Sequence, residues 1–156
     1  MRTQAPSDGY TYVLRYAKDP GSQSCATRSG PERPIEMQPR IPELVDLQGW
    51  RVQRRPDEEH YQVLDPTTYA GKHYGLSASR DPGLQESVTL GSKPSEFRFI
   101  PDHDKEATTY IIRLSGPTTG AHKCLDVMNN KVVIRLFPEG HLWDDLPRWH
   151  LDRIDD

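Results

Sequence analysis

Tyr12-Val13-Leu14, Tyr61-Gln62-Val63 and Tyr110-Ile111-Ile112 open three segments whose tyrosines stand 49 and 49 residues apart. A second trio closes them: Trp50-Arg51-Val52, Phe97-Arg98-Phe99 and Trp149-His150-Leu151, at spacings of 47 and 52. In this second trio a large aromatic, a polar residue and an apolar residue alternate, which is the period of a strand with one buried face. A spacing near 49 is the mark of an internal repeat. The first and third segments also match at a single offset of 99. Cys25 meets Cys124, Ile35 meets Ile134, Met37 meets Leu136 and Pro39 meets Pro138. Leu44 meets Trp143, Leu47 meets Leu146, Trp50 meets Trp149 and Val52 meets Leu151. At that offset the proline-flanked stretches 39–47 and 138–146 have equal length. The middle segment is shorter, with 9 residues from Val88 to Phe97 against 15 from Ile35 to Trp50.

Each segment reads as four short strands. They fall near 10–16, 24–28, 34–38 and 48–54, then 59–64, 73–79, 87–90 and 95–100, then 108–114, 122–128, 131–136 and 148–153. The clearest hairpin signal is Met128-Asn129-Asn130-Lys131 between two apolar runs, because Asn tolerates positive φ. No stretch sustains a 3.6-residue period. Twelve strands in three pseudo-symmetric four-strand units predict an all-β fold, the β-trefoil, as a single domain over 1–156 with units near 10–54, 59–100 and 108–153. Six strands would close a barrel and three hairpins would cap it, leaving no exposed edges. Tyr12, Tyr61 and Tyr110, with Trp50, Phe97 and Trp149, would pack in layers about the pseudo-threefold axis. An ordinary β-sandwich would use similar strands but gives no reason for the offset of 99.

Composition agrees and narrows the function classes. A chain of 156 residues fits one domain. At 34% hydrophobic its core has to be economical, and 14 prolines along the chain exclude a helical bundle. Net charge is −3 with the two signs interspersed, so there is neither a basic stripe for nucleic acid nor the charge imbalance of a disordered chain. No apolar run approaches the roughly 20 residues of a membrane span. The first nine residues carry no secretory apolar core. The expectation is a soluble, cytoplasmic monomer with no nucleic-acid or membrane partner. Cys25 and Cys124 hold equivalent places in two units. Such places lie farther apart than the roughly 7 Å a disulfide can span, so both read as buried packing residues.

The chemistry-bearing residues form no recognisable catalytic set. His60, His73, His103, His122, His141 and His150 follow no metal-ligand spacing, and His150 should face outward from its strand. Gly-x-Ser-x-Gly, P-loop and Gly-x-Gly-x-x-Gly patterns are absent. Asp57-Glu58-Glu59 and Asp144-Asp145 read as loop charge. The expectation is no enzyme, no catalytic residue, no metal and no cofactor. Trp143 reads either as a plug over the barrel end or as an exposed anchor for a partner. Gln48-Gly49-Trp50 is one copy of the Gln-x-Trp that ricin-type lectins carry in every unit, and Lys123-Cys124-Leu125-Asp126-Val127 is lectin-like too. A carbohydrate-binding module is therefore the alternative binding function.

The first unit carries a more specific resemblance. Asp19-Pro20-Gly21-Ser22-Gln23-Ser24-Cys25-Ala26-Thr27 runs into Gly30-Pro31-Glu32-Arg33-Pro34-Ile35 and Met37-Gln38-Pro39. Together with Asp8-Gly9-Tyr10-x-Tyr12 and Pro147-Arg148-Trp149-His150-Leu151, it resembles the mycocypins, the clitocypin and macrocypin family of mushroom protease inhibitors. Fungal β-trefoil serine protease inhibitors are nearly as similar. The resemblance implies a β-trefoil that reversibly inhibits papain-like cysteine proteases by laying two first-unit loops in the cleft, with no covalent step. By position the contact residues would be Pro20, Gly21, Ser22 and Gln23 in one loop and Ile41, Pro42, Glu43 and Leu44 in the other. Gly21 would let backbone approach the catalytic cysteine. Pro20, Pro39 and Pro42 would limit the entropy lost on binding. Two such loops suit an interface of about 800 Å² per partner. Mycocypins tend to have Gly-Gly where this chain has Gly21-Ser22. The loop Asp65-Pro66-Thr67-Thr68-Tyr69-Ala70-Gly71-Lys72 lacks the Asn with which some members inhibit asparaginyl endopeptidase, so that activity is expected to be missing. Lys72 or Arg28 could instead enter the specificity pocket of a trypsin-like protease.

Overall fold

The computed structural model describes residues 6, 9–17, 24–56, 60–78, 85–102, 109–115, 121–138, 140 and 145–154. Among them are thirteen strands. The first unit holds β1 (Tyr10–Tyr16), β2 (Ser24–Thr27), β3 (Glu36–Pro39) and β4 (Gly49–Arg54). The second holds β5 (Tyr61–Tyr69), β6 (Lys72–Ser77), β7 (Gln85–Ser87), β8 (Thr89–Gly91) and β9 (Phe97–Pro101). The third holds β10 (Thr109–Leu114), β11 (Ala121–Met128), β12 (Lys131–Pro138) and β13 (Trp149–Arg153). Antiparallel pairs β1–β4, β4–β5, β5–β9, β9–β10, β10–β13 and β13–β1 close a six-stranded barrel. The hairpins β2–β3, β6–β8 and β11–β12 cap it. This is the β-trefoil expected from the repeat.

The aromatic trios hold matching ladder places. Tyr12 lies opposite Trp50, Tyr61 opposite Phe97 and Tyr110 opposite Trp149. All six are buried in the core. Phe99 packs edge-on against both Tyr61 and Tyr110, with ring centroids 5.4 and 5.9 Å apart. Burial, with Tyr12 and Tyr61 adding to it, pushes the Tyr110 phenol up to about 12. The indole N–H of Trp50 donates to Ala26 O at 3.0 Å, and that of Trp149 donates to Leu125 O at 2.9 Å. Each hairpin is thereby tied to the barrel by the same bond in two units. At the cap the threefold closes on itself: Ile35 N–H donates to Val88 O, Val88 N–H to Val132 O and Val132 N–H to Ile35 O, each at 2.9 Å.

That ring also explains the thirteenth strand. A single third strand is expected over 87–90 in the middle unit. Val88 instead turns its backbone into the ring, so β7 pairs with β12 and β8 pairs with β6. A second departure concerns the offset. Cys25 lies opposite Gln38 and Cys124 opposite Arg135, which relates β3 to β12 by 97 residues. Met37 therefore corresponds to Ile134 and Ile35 to Val132. The matches of Ile35 with Ile134, Met37 with Leu136 and Pro39 with Pro138 are each two residues out of register. A slip of two keeps every side chain on its own face, so the apolar pattern could not reveal it.

Candidate functional site

Among the described residues of the first unit, the segment between β3 and β4 is the one stretch with helical backbone. Pro42–Leu44 makes a 3-10 turn with Pro in its first turn, where the missing N–H costs nothing, and Val45–Gln48 adds one turn of helix, α1. Among the described residues the exposed large hydrophobics include Ile41 at 41%, Val45 at 50% and Leu47 at 38%. All three lie in this one turn. Ile41 and Val45 are four apart and share a face. They border a groove of about 480 Å³ lined by Val13, Arg40, Ile41, Pro42, Val45 and Gln48. Ser24 pairs with Pro39, so β2 begins where β3 ends, at one end of the hairpin.

The third unit shows what this place looks like when filled. Arg15 lies opposite Cys25 and Arg113 opposite Cys124, so Val13 corresponds to Ile111 and Arg40 to Phe137. Ile111, Cys124, Phe137 and Leu146 form a small buried core with Ile100 against it. In the first unit Val13 and Cys25 stay buried, but Phe137 is replaced by exposed Arg40, and Leu47, the counterpart of buried Leu146, is turned outward. The first unit thus presents outward what the third unit packs inward.

Beneath the turn lies a polar clamp. Arg28 is 3% exposed and its Nε stands 3.2 Å from Asp65 Oδ2, an ion pair whose N–H is not aimed for a hydrogen bond. Its two terminal nitrogens donate to Gly49 O and Asp46 O. The guanidinium sits 4.8 Å from the centre of the Trp50 ring. Burial lowers the Arg28 pKa, with Asp65 pulling the other way. The Asp65 carboxylate accepts from Thr67 N–H at 2.9 Å and from the Tyr69 hydroxyl at 2.8 Å. Gln48 Nε2 donates to Pro39 O at 2.9 Å and to Thr27 Oγ1 at 3.2 Å.

These positions revise several expectations. Arg28 is no surface cation and cannot reach a protease pocket; its charge is used inside the fold. Lys72 is exposed, but it begins β6 and pairs with Tyr69 across the two-residue turn Ala70-Gly71. The expected loop 65–72 is a hairpin whose first strand runs on to Tyr69, with a register shift between Leu64 and Thr68. Gln48 and Trp50 of the single Gln-x-Trp are buried and bonded to backbone. Asp126 of the lectin-like stretch is buried and held by the Tyr16 hydroxyl at 2.5 Å and by Arg135 Nη1 at 3.2 Å. Ile41, Pro42 and Glu43 are exposed and Leu44 is half-buried. Pro20, Gly21, Ser22, Gln23 and Trp143 lie outside the described residues. Cys25 and Cys124 are buried free thiols, pushed by burial to about 11 and about 12. His150 is half-buried, its Nδ1 2.9 Å from Thr109 Oγ1. Val45 and Leu47 are not singled out by the sequence reading as exposed apolar residues. The i, i+4 spacing of Ile41 and Val45 is the signal that finds Val45 once one helical turn is allowed; Leu47, six residues from Ile41, has no such signal.

No family model matches the chain. Among solved structures it is similar in fold to the BEL β-trefoil, with a TM-score of 0.60 at 15% identity over 99% of this chain and 100% of that one. It also matches part of a mosquitocidal holotoxin, with a TM-score of 0.68 at 13% identity, over 96% of this chain but only 18% of the toxin. Among curated sequences it is 27% identical to clitocypin-4/-3 of Clitocybe nebularis, covering 92% of this chain and 95% of that protein. It is 29% identical to clitocypin-5 of the same fungus, over 92% and 95%. Over nine-tenths of its length, then, the chain is similar to the clitocypins, and the resemblance to the mycocypin family extends from the first unit to the whole trefoil.

Proposed function

We propose that this chain is a reversible, non-covalent inhibitor of papain-like cysteine proteases that occludes the active-site cleft with loops of its first unit. The observation that carries the reading is the contrast between units. Ile41, Val45 and Leu47 face solvent on a turn that is bonded down from behind, whereas the equivalent stretch of the third unit buries Phe137 and Leu146. Outward apolar side chains on a pre-ordered turn lose little entropy on binding and suit substrate-side pockets. The likeness to the clitocypins supports the choice of protease class. Pro20 and Gly21, which precede β2 in the sequence, are the residues that the family resemblance would bring to the catalytic cysteine. Nothing specific favours the lectin reading, since the Gln-x-Trp side chains are engaged in the core, and Arg28 no longer serves a trypsin-like one. The test is papain kinetics with the purified protein, together with retention on a galactose or N-acetylgalactosamine matrix. Competitive inhibition that is relieved on dilution supports the proposal. Retention on sugar with untouched papain overturns it.

A further inference from the structure

We propose that Arg28, backed by Asp65, is a positioning residue that holds the 41–48 turn in the shape that presents Ile41, Val45 and Leu47. The inference rests on the inhibitor reading for its consequence and on geometry for its substance. The turn ends in carbonyls that no helix satisfies, the usual state of a helix C-terminus. Residue 28 takes three of them: its guanidinium donates to Asp46 O and Gly49 O, and its backbone N–H donates to Leu47 O at 2.9 Å. The rigid guanidinium fork holds two carbonyls while keeping its third nitrogen beside the acid, a geometry that a compact ammonium on a flexible stem does not fix.

The cation is buried at 3% exposure beside an acid at 1%, and a buried charge persists only when its partners are in place. Asp65 is itself fixed by Thr67 N–H and the Tyr69 hydroxyl. The contact turn of the first unit is therefore fastened to the first strand of the second. The third unit supplies a built-in control. Arg148 pairs with Asp102 at 2.6 Å and donates to Leu146 O at 2.5 Å, holding a chain segment whose leucine, Leu146, packs inward.

The experiment compares Arg28→Lys, Asp65→Asn and Arg148→Lys with the wild-type chain. It reads amide exchange at Leu44 and Val45, whose N–H groups donate to Ile41 O and Pro42 O, and papain inhibition. Lys keeps the charge but loses the fork. Arg28→Lys is expected to speed exchange at both amides and to weaken papain inhibition, each about tenfold, because the competent shape becomes a minority. Arg148→Lys should leave both within about twofold. Should Arg28→Lys fail to fold, Asp65→Asn, which keeps the shape and removes the charge, carries the same two readings. Wild-type exchange and inhibition in the folded variants would overturn the proposal, as would an equal loss of inhibition in Arg148→Lys. If the wild-type chain leaves papain active, the inhibitor reading fails by itself, and exchange at Leu44 and Val45 still decides the positioning role.

Discussion

Val45 is the most exposed of the apolar side chains on the 41–48 turn, at 50%. A valine so placed adds nothing to the core, so its replacement separates binding from folding. Val45→Asp is expected to weaken papain inhibition by tenfold or more, roughly 1–2 kcal/mol, the usual cost at an interface anchor. Its urea stability should move by less than about 0.5 kcal/mol, as for other surface changes. The buried thiols make a pH prediction. Cys25, Cys124 and Tyr110 all have folded pKa values raised to about 11 or 12. The folded state keeps these acids neutral, while the unfolded chain releases their protons near the ordinary values of 9.0 and 10.0. Their contribution is therefore intact below about pH 9 and is lost as pH climbs through 11 to 12. The urea midpoint should hold from pH 7 to 9 and fall by pH 11; a flat profile would contradict the burial described. At this scale the sequence misleads most at Arg28. A charged residue is ordinarily a surface residue, and nothing local announces a partner 37 positions on at Asp65.

The turns between strands show where local sequence meets backbone demand. Asn129-Asn130 takes positive φ at both places, 52° and 66°, the geometry of a two-residue turn matched to strand twist. Asn suits it, and the sequence reading finds this hairpin for that reason. Ala70-Gly71 adopts the same kind of turn at 52° and 78° with an alanine in the left-handed region. A Cβ there costs roughly 1–2 kcal/mol. Ala70→Gly should accordingly raise urea stability by about 0.5–1 kcal/mol, after the entropy that glycine adds to the unfolded chain. A loss of stability would show that the turn is not held as described. Alanine gives no turn signal, which is why 65–72 reads as an open loop from sequence. The β3 misregister has a related cause: alternation fixes a face but not a position along it.

The whole trefoil is legible because its aromatics repeat. Tyr12, Tyr61 and Tyr110 oppose Trp50, Phe97 and Trp149 in one barrel, and large aromatics with few permitted places leave a pattern that survives divergence. The functional asymmetry is hidden in the same symmetry. Leu47 and Leu146 align, and only the packing shows one turned outward and the other buried. The three units share one barrel and cap, and among the described residues the first presents an apolar turn at Ile41, Val45 and Leu47. The most direct measurement is a titration of active-site-counted papain with the purified chain. Activity should fall linearly towards zero near one equivalent and return on dilution into excess substrate. Full activity at micromolar protein would contradict the assignment of the first unit as a protease-binding surface.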